Sequence, residues 1–79
     1  MSLNIVIYGH EQCPFCVKAK ERAARLPNAT ISYVNVREAG MTKEDLSAAC
    51  GRPVATVPQI IVDGEYVGGY QAFVERFAE

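Results

Sequence analysis

Two cysteines three positions apart stand in the tetrapeptide Cys13-Pro14-Phe15-Cys16. At the start of a helix, thiols at that spacing share a face and close a disulfide with little backbone movement, which suits reversible thiol–disulfide exchange. Cys13 falls at the predicted N-cap, where its sulfur can accept from the unpaired amides of Phe15 and Cys16. The helix dipole favours a negative charge there by about 0.3–1 kcal/mol, and each charge-assisted N–H bond adds about 1.5–3 kcal/mol. Together these favour a thiolate at residue 13. Cys16, one turn in, is expected to stay a protonated, partly buried thiol until it attacks.

Two structural uses of the same residues compete with that chemistry. A permanent disulfide closing a four-residue loop would contribute only about 2 kcal/mol, less than a longer loop would. Three cysteines are also an odd, small set, whereas secreted disulfide frameworks bring four or more in even number. A metal site would draw on His10, Cys13, Cys16 and Cys50, but structural zinc normally takes two closely spaced pairs and the second pair is missing. Cys50 falls on one helical face with Leu46 and Ala49, where a small apolar thiol packs. His10 reads as a solvated loop histidine beside the motif.

The flanking segments must position the pair. Residues 3–9 are rich in β-branched side chains and end at a glycine, as a buried strand would. Residues 14–26 read as a helix with Cys16, Ala19, Ala23 and Leu26 on the inner face and Lys18, Glu21, Arg22 and Arg25 outside. Pro14 suits its first position and Pro27 ends it. Residues 30–36 form a second strand. Thr42, with Asp45 three residues on, opens a second helix that ends at Gly51. Gln59 to Asp63 and Tyr66 to Gly68 are short strands joined through Asp63-Gly64, a strong hairpin signal. Tyr70, Phe73, Val74 and Phe77 share one face of a last helix. The order β-α-β-α-β-β-α predicts a parallel, right-handed crossover followed by an antiparallel hairpin, a four-stranded mixed sheet flanked by three helices.

Two further motifs remain. Pro58 opens a strand without an amide to donate; it is either an edge device or a cis Val57-Pro58 peptide that turns the Val57 backbone toward the cysteines. Gly68-Gly69 before the last helix is either a flexible turn or a carboxylate site made of free amides.

With 79 residues the chain is expected to form a single domain, residues 1–79, whose thin core removes only about 60% of the unfolded surface from water. Eight basic against nine acidic residues, a net charge of −1, exclude the footprint of a nucleic-acid binder and any pull toward anionic lipid. Apolar residues at 49% and charged residues at 22% exclude a disordered chain. The first ten residues have no basic start and only a short apolar run, so no secretory signal or membrane span is expected, and the location implied is cytoplasmic.

Taken together, Cys13-Pro14-Phe15-Cys16, Thr56-Val57-Pro58-Gln59 and Gly68-Gly69-Tyr70, in this order and over essentially the whole chain, resemble a dithiol glutaredoxin. The likeness is to the short bacterial form that supplies electrons to ribonucleotide reductase. It implies a thioredoxin-like α/β fold, Cys13 as nucleophile, Cys16 as resolving thiol and a cis Pro58. It also implies a glutathione site made of Phe15, Thr56, Val57, Pro58, Gly69, Tyr70 and Gln71, with no bound cofactor or metal and glutathione as co-substrate. Partners would be disulfide or glutathionylated proteins, and the chain would act as a monomer. Phe15 replaces the family's usual tyrosine. Ala72 replaces an aspartate that commonly meets the glutathione amine, which implies weaker glutathione binding unless Gln71 substitutes. His10 stands where some relatives carry a basic residue. A rival within redox chemistry is recharging by thioredoxin reductase. A rival from another class is a metal or iron–sulfur carrier that uses Cys13, which the stiffening Pro14 disfavours.

Overall fold

In the computed structural model, which describes residues 3–77, β1 (Leu3–Gly9) runs through the sheet interior. Its alternation explains the placement: Ile5, Ile7 and Gly9 are buried on one face, while Val6 and Tyr8 are half-buried on the other. β2 (Ala29–Asn35) pairs with it in parallel from Leu3 opposite Ala29 to Gly9 opposite Asn35. β3 (Gln59–Val62) lies antiparallel on the other side of β1, and β4 (Glu65–Gly68) completes the order β2-β1-β3-β4. The β-α-β-α-β-β-α order expected from the sequence is the one found.

α1 (Pro14–Ala24) crosses over between the two parallel strands. It ends two residues before the expected Leu26, because the residue preceding a proline is pushed out of the helical region and Pro27 follows. Its inner face is Cys16, Ala19 and Ala23, as the spacing predicts. α3 (Tyr70–Arg76) packs against α1, β3 and β4, so Phe73 is sealed in one cluster with Ile5, Ile7, Ala19, Ala23, Ile60 and Val62. Burying these side chains is the main driving force available to so short a chain.

α2 (Lys43–Cys50) begins with the expected capping box: Thr42 Oγ1 accepts from the Asp45 amide at 3.1 Å and Asp45 Oδ2 from the Thr42 amide at 3.0 Å. It ends at Gly51, whose φ of 74° no β-carbon would favour. Leu46 and Cys50 are buried on it, but Ala49, expected beside them, is exposed. The second strand begins one residue early, at Ala29. The hairpin turn is Asp63-Gly64, both at positive φ, so Asp63 leaves β3 and Glu65 enters β4. Among the described residues no helix is long and apolar enough to cross a membrane.

Candidate active site

Where β1 ends, the chain turns into α1, and the cysteines lie at that turn beside the C-terminal ends of the two parallel strands. Cys13 is the N-cap, with extended backbone, and Pro14 occupies the first helical position. Its sulfur accepts from the Cys16 amide at 3.3 Å. Of the two amides expected to reach it, only this one does so. The same sulfur lies 3.6 Å from the Val57 carbonyl oxygen, to which a Cys13 thiol donates. The sulfur is thus an acceptor toward the helix and a donor toward the loop.

Cys16 differs in every respect. It is fully buried, whereas Cys13 is half-buried. Burial first, then a hydrogen bond and the charge of the Cys13 sulfur, push its thiol up to about 12, against the pull of the His10 backbone and the Tyr33 hydroxyl. The arrangement can therefore hold one reactive, reachable sulfur against one reserved sulfur, which is what stepwise disulfide exchange requires. A stability effect follows. Below the ordinary thiol value of 9.0 both folded and unfolded chains keep the Cys16 proton; from there to about 12 only the folded chain keeps it. The reduced protein should thus lose stability as pH rises through that window. Denaturant unfolding at neutral pH and at about pH 10.5 checks this, with a shallower loss expected in Cys16→Ala.

The space for Cys16 comes from Gly9, which the strand pattern marks only as a terminus. A β-carbon there would lie 2.6 Å from Cys16 Sγ and 2.9 Å from the Tyr33 hydroxyl oxygen. Tyr33 was not expected at the site either.

A second wall faces the cysteines. The Val57-Pro58 peptide is cis and Pro58 is buried, the second of the two alternatives left open for this proline. Buried Gln59 fastens the loop: its Nε2 donates to the Thr56 carbonyl at 2.9 Å and its Oε1 accepts from the Tyr66 hydroxyl. Further back, Ser47 Oγ accepts from the Val54 amide at 3.0 Å and donates to the Val54 carbonyl at 3.1 Å. Beyond the loop, Phe15 is exposed and its ring lies 5.7 Å from that of Tyr70 at the start of α3. Phe15, Thr56, Val57, Pro58, Gly69, Tyr70 and Gln71 line one groove of about 490 Å³ together with Val74. All seven residues that the family resemblance assigns to glutathione meet there; the helical spacing places Val74 only on the packing face. Gly69 caps α3 without a side-chain bond, so the amides of the first turn lack intrahelical partners.

One other expectation, at His10, came out differently. His10 is half-buried rather than solvated, and its Nδ1 is buried without a partner. Cys50 is buried, as expected, and burial raises its thiol despite the opposing charge of Arg52. Among the described residues no three His, Cys, Asp or Glu side chains gather where a metal ion could be held, so His10, Cys13, Cys16 and Cys50 do not form a ligand set.

Residues 5–67 match the family described as Glutaredoxin. The chain is 47% identical over 75 residues to Glutaredoxin 1 of Escherichia coli strain K12, covering 90% of this chain and 88% of the relative. It is 42% identical over 79 residues to the glutaredoxin of Vibrio cholerae, covering 95% and 90%. The NMR structure of oxidised Escherichia coli glutaredoxin superimposes with a TM-score of 0.82 at 43% identity, covering 96% of this chain and 94% of the other. A sulfur pair of opposed burial at a helix start thus stands on a backbone and a sequence shared with these relatives nearly end to end, and the chain belongs to the glutaredoxin family of thiol–disulfide oxidoreductases.

Proposed function

We propose that the protein is a glutathione-dependent oxidoreductase that reduces protein disulfides and glutathione mixed disulfides, with Cys13 as nucleophile and Cys16 as resolving thiol. The observation that carries this reading is the single groove holding Phe15, Thr56, Val57, Pro58, Gly69, Tyr70 and Gln71, one of whose walls, Val57, lies 3.6 Å from the Cys13 sulfur. No charged side chain lines it, so a tripeptide would be held by backbone groups and rings. The Val57 backbone takes the cysteinyl part of glutathione, and the amides of Gly69, Tyr70 and Gln71 take its γ-glutamyl carboxylate.

In this reading the Cys13 thiolate attacks one sulfur of a substrate disulfide; a new S–S bond forms and the other sulfur leaves as a thiolate. On a protein disulfide, Cys16 then attacks Cys13, freeing the target and leaving a Cys13–Cys16 bond. Two glutathione molecules return the pair to dithiols and leave as glutathione disulfide, so two electrons pass in each direction. On a glutathionylated target, Cys13 takes the glutathione and a second glutathione removes it. Reductases that finish a cycle as a disulfide, ribonucleotide reductase among them, are the partner class, and a monomer suffices because every groove residue comes from one chain.

Turnover of a glutathione mixed disulfide, coupled to glutathione reductase and titrated with glutathione, tests this. Saturable turnover is expected, and Ala72→Asp, which supplies a carboxylate for the amine, should lower the glutathione KM severalfold. No turnover with glutathione, alongside turnover with thioredoxin reductase, would refute it.

A further inference from the structure

The pairing of β1 with β2 sets Tyr33 opposite Ile7, and in a strand Ile7 and Gly9 share a face. Tyr33 therefore reaches along that face toward the one position with no side chain. The Cys16 sulfur enters the same gap from α1: the empty β-carbon site of Gly9 is 2.6 Å from the sulfur and 2.9 Å from the phenolic oxygen. Both groups therefore border one gap, and the Tyr33 hydroxyl pulls the Cys16 thiol down while the Cys16 charge pushes the Tyr33 phenol up. The Lys20 ammonium, 5.0 Å from the Tyr33 ring centre, holds the ring from the outside.

We propose that Tyr33 is a positioning residue for Cys16, its hydroxyl donating a hydrogen bond that stabilises the Cys16 sulfur as a thiolate when that sulfur attacks or leaves. This rests on the role given above to Cys16. The need for such a donor follows from burial: a sulfur with no exposed surface has no water to stabilise its charge. Once Cys13 carries a mixed disulfide, its negative charge is gone, and the His10 backbone and the Tyr33 hydroxyl are the remaining groups that favour a Cys16 thiolate. Burial and the charges of Cys16, Cys13 and Glu11 all raise the Tyr33 phenol, so it keeps its proton and stays a donor. In the step itself the Cys16 proton goes to solvent, the Cys16–Cys13 bond forms, and the bond from Cys13 to the target sulfur breaks with the target leaving as a thiolate. Tyr33 transfers no proton. In the reverse direction, as glutathione attacks Cys13, the same hydrogen bond meets the departing Cys16 thiolate.

The test uses a Cys50→Ala background and an aromatic disulfide reagent whose thiol product is coloured. Attack by Cys13 releases the first equivalent and attack by Cys16 the second. Tyr33→Phe keeps the ring and its packing. It is expected to slow the second release about tenfold, to move the pH profile of that release upward by about one unit, and to leave the first within about twofold. In a Cys16→Ser background the same change should leave removal of glutathione from a mixed disulfide untouched. An unchanged second release overturns the proposal, as does equal slowing of both releases, the mark of a merely structural role. A second release that survives in Cys16→Ser would instead overturn the assignment of Cys16 itself, a result distinct from either.

Discussion

Cys13→Ser is expected to abolish both the reduction of protein disulfides and the removal of glutathione from mixed disulfides, down to the uncatalysed rate of exchange. An alcohol is not ionised near neutral pH, so neither the Cys16 amide 3.3 Å away nor the helix dipole can turn it into a nucleophile. Cys16→Ser should separate the two activities. Protein-disulfide reduction should fall at least about tenfold, because the mixed disulfide on Cys13 then waits for an external thiol. Removal of glutathione, which needs only Cys13 and a second glutathione, should stay within about twofold of the parent. Parallel assays with glutathione and its reductase check both outcomes, and full activity in Cys13→Ser would show that another group does the chemistry.

The second large effect is expected at a residue with no side chain. In Gly9→Ala the new methyl group would lie 2.6 Å from Cys16 Sγ, 2.8 Å from Cys16 Cβ and 2.9 Å from the Tyr33 oxygen. The two Cys16 contacts leave no room to give, because Cys16 is sealed at the start of a helix whose inner face packs on the sheet; the Tyr33 tip can swing aside, but the Cys16 atoms cannot. Overpacking of this kind costs about 1–3 kcal/mol, a large share of the roughly 5 kcal/mol available to a domain of this size. A lower urea midpoint at unchanged slope would register the loss. Disulfide geometry tolerates little displacement, so closure of the Cys13–Cys16 bond should suffer as well, and a variant with parental stability and parental closure would contradict the packing described.

The contrast between these two sites shows what a linear reading reaches. Cys13, Pro14 and Cys16 are legible because helix starts have a local grammar: a cap, a proline and a three-residue spacing suffice. The capping box of Thr42 and Asp45 and the turn at Asp63-Gly64 were legible for the same reason. Gly9 and Tyr33 were not, because their meeting with Cys16 depends on the register of two strands and on a helix laid across them. Gln59 escaped as well. A lone glutamine in a strand looks like a solvent-facing residue, and only the fold reveals that it is buried and ties Thr56 to Tyr66. The groove residues Thr56 to Pro58 and Gly69 to Gln71 came from family likeness, since no local rule joins two segments more than ten residues apart. The mismatch at the end of α1 was small and physical: helical spacing continued to Leu26, but Pro27 restricts the residue before it.

The unequal shelter of the three thiols also gives an experimenter a handle. Cys13 is partly open to solvent, whereas Cys16 and Cys50 are closed off in separate places. A small alkylating reagent applied briefly to the intact reduced protein should therefore tag one sulfur, and all three once the chain opens. Mass spectrometry of the tagged chain then counts unfolded molecules without a dye.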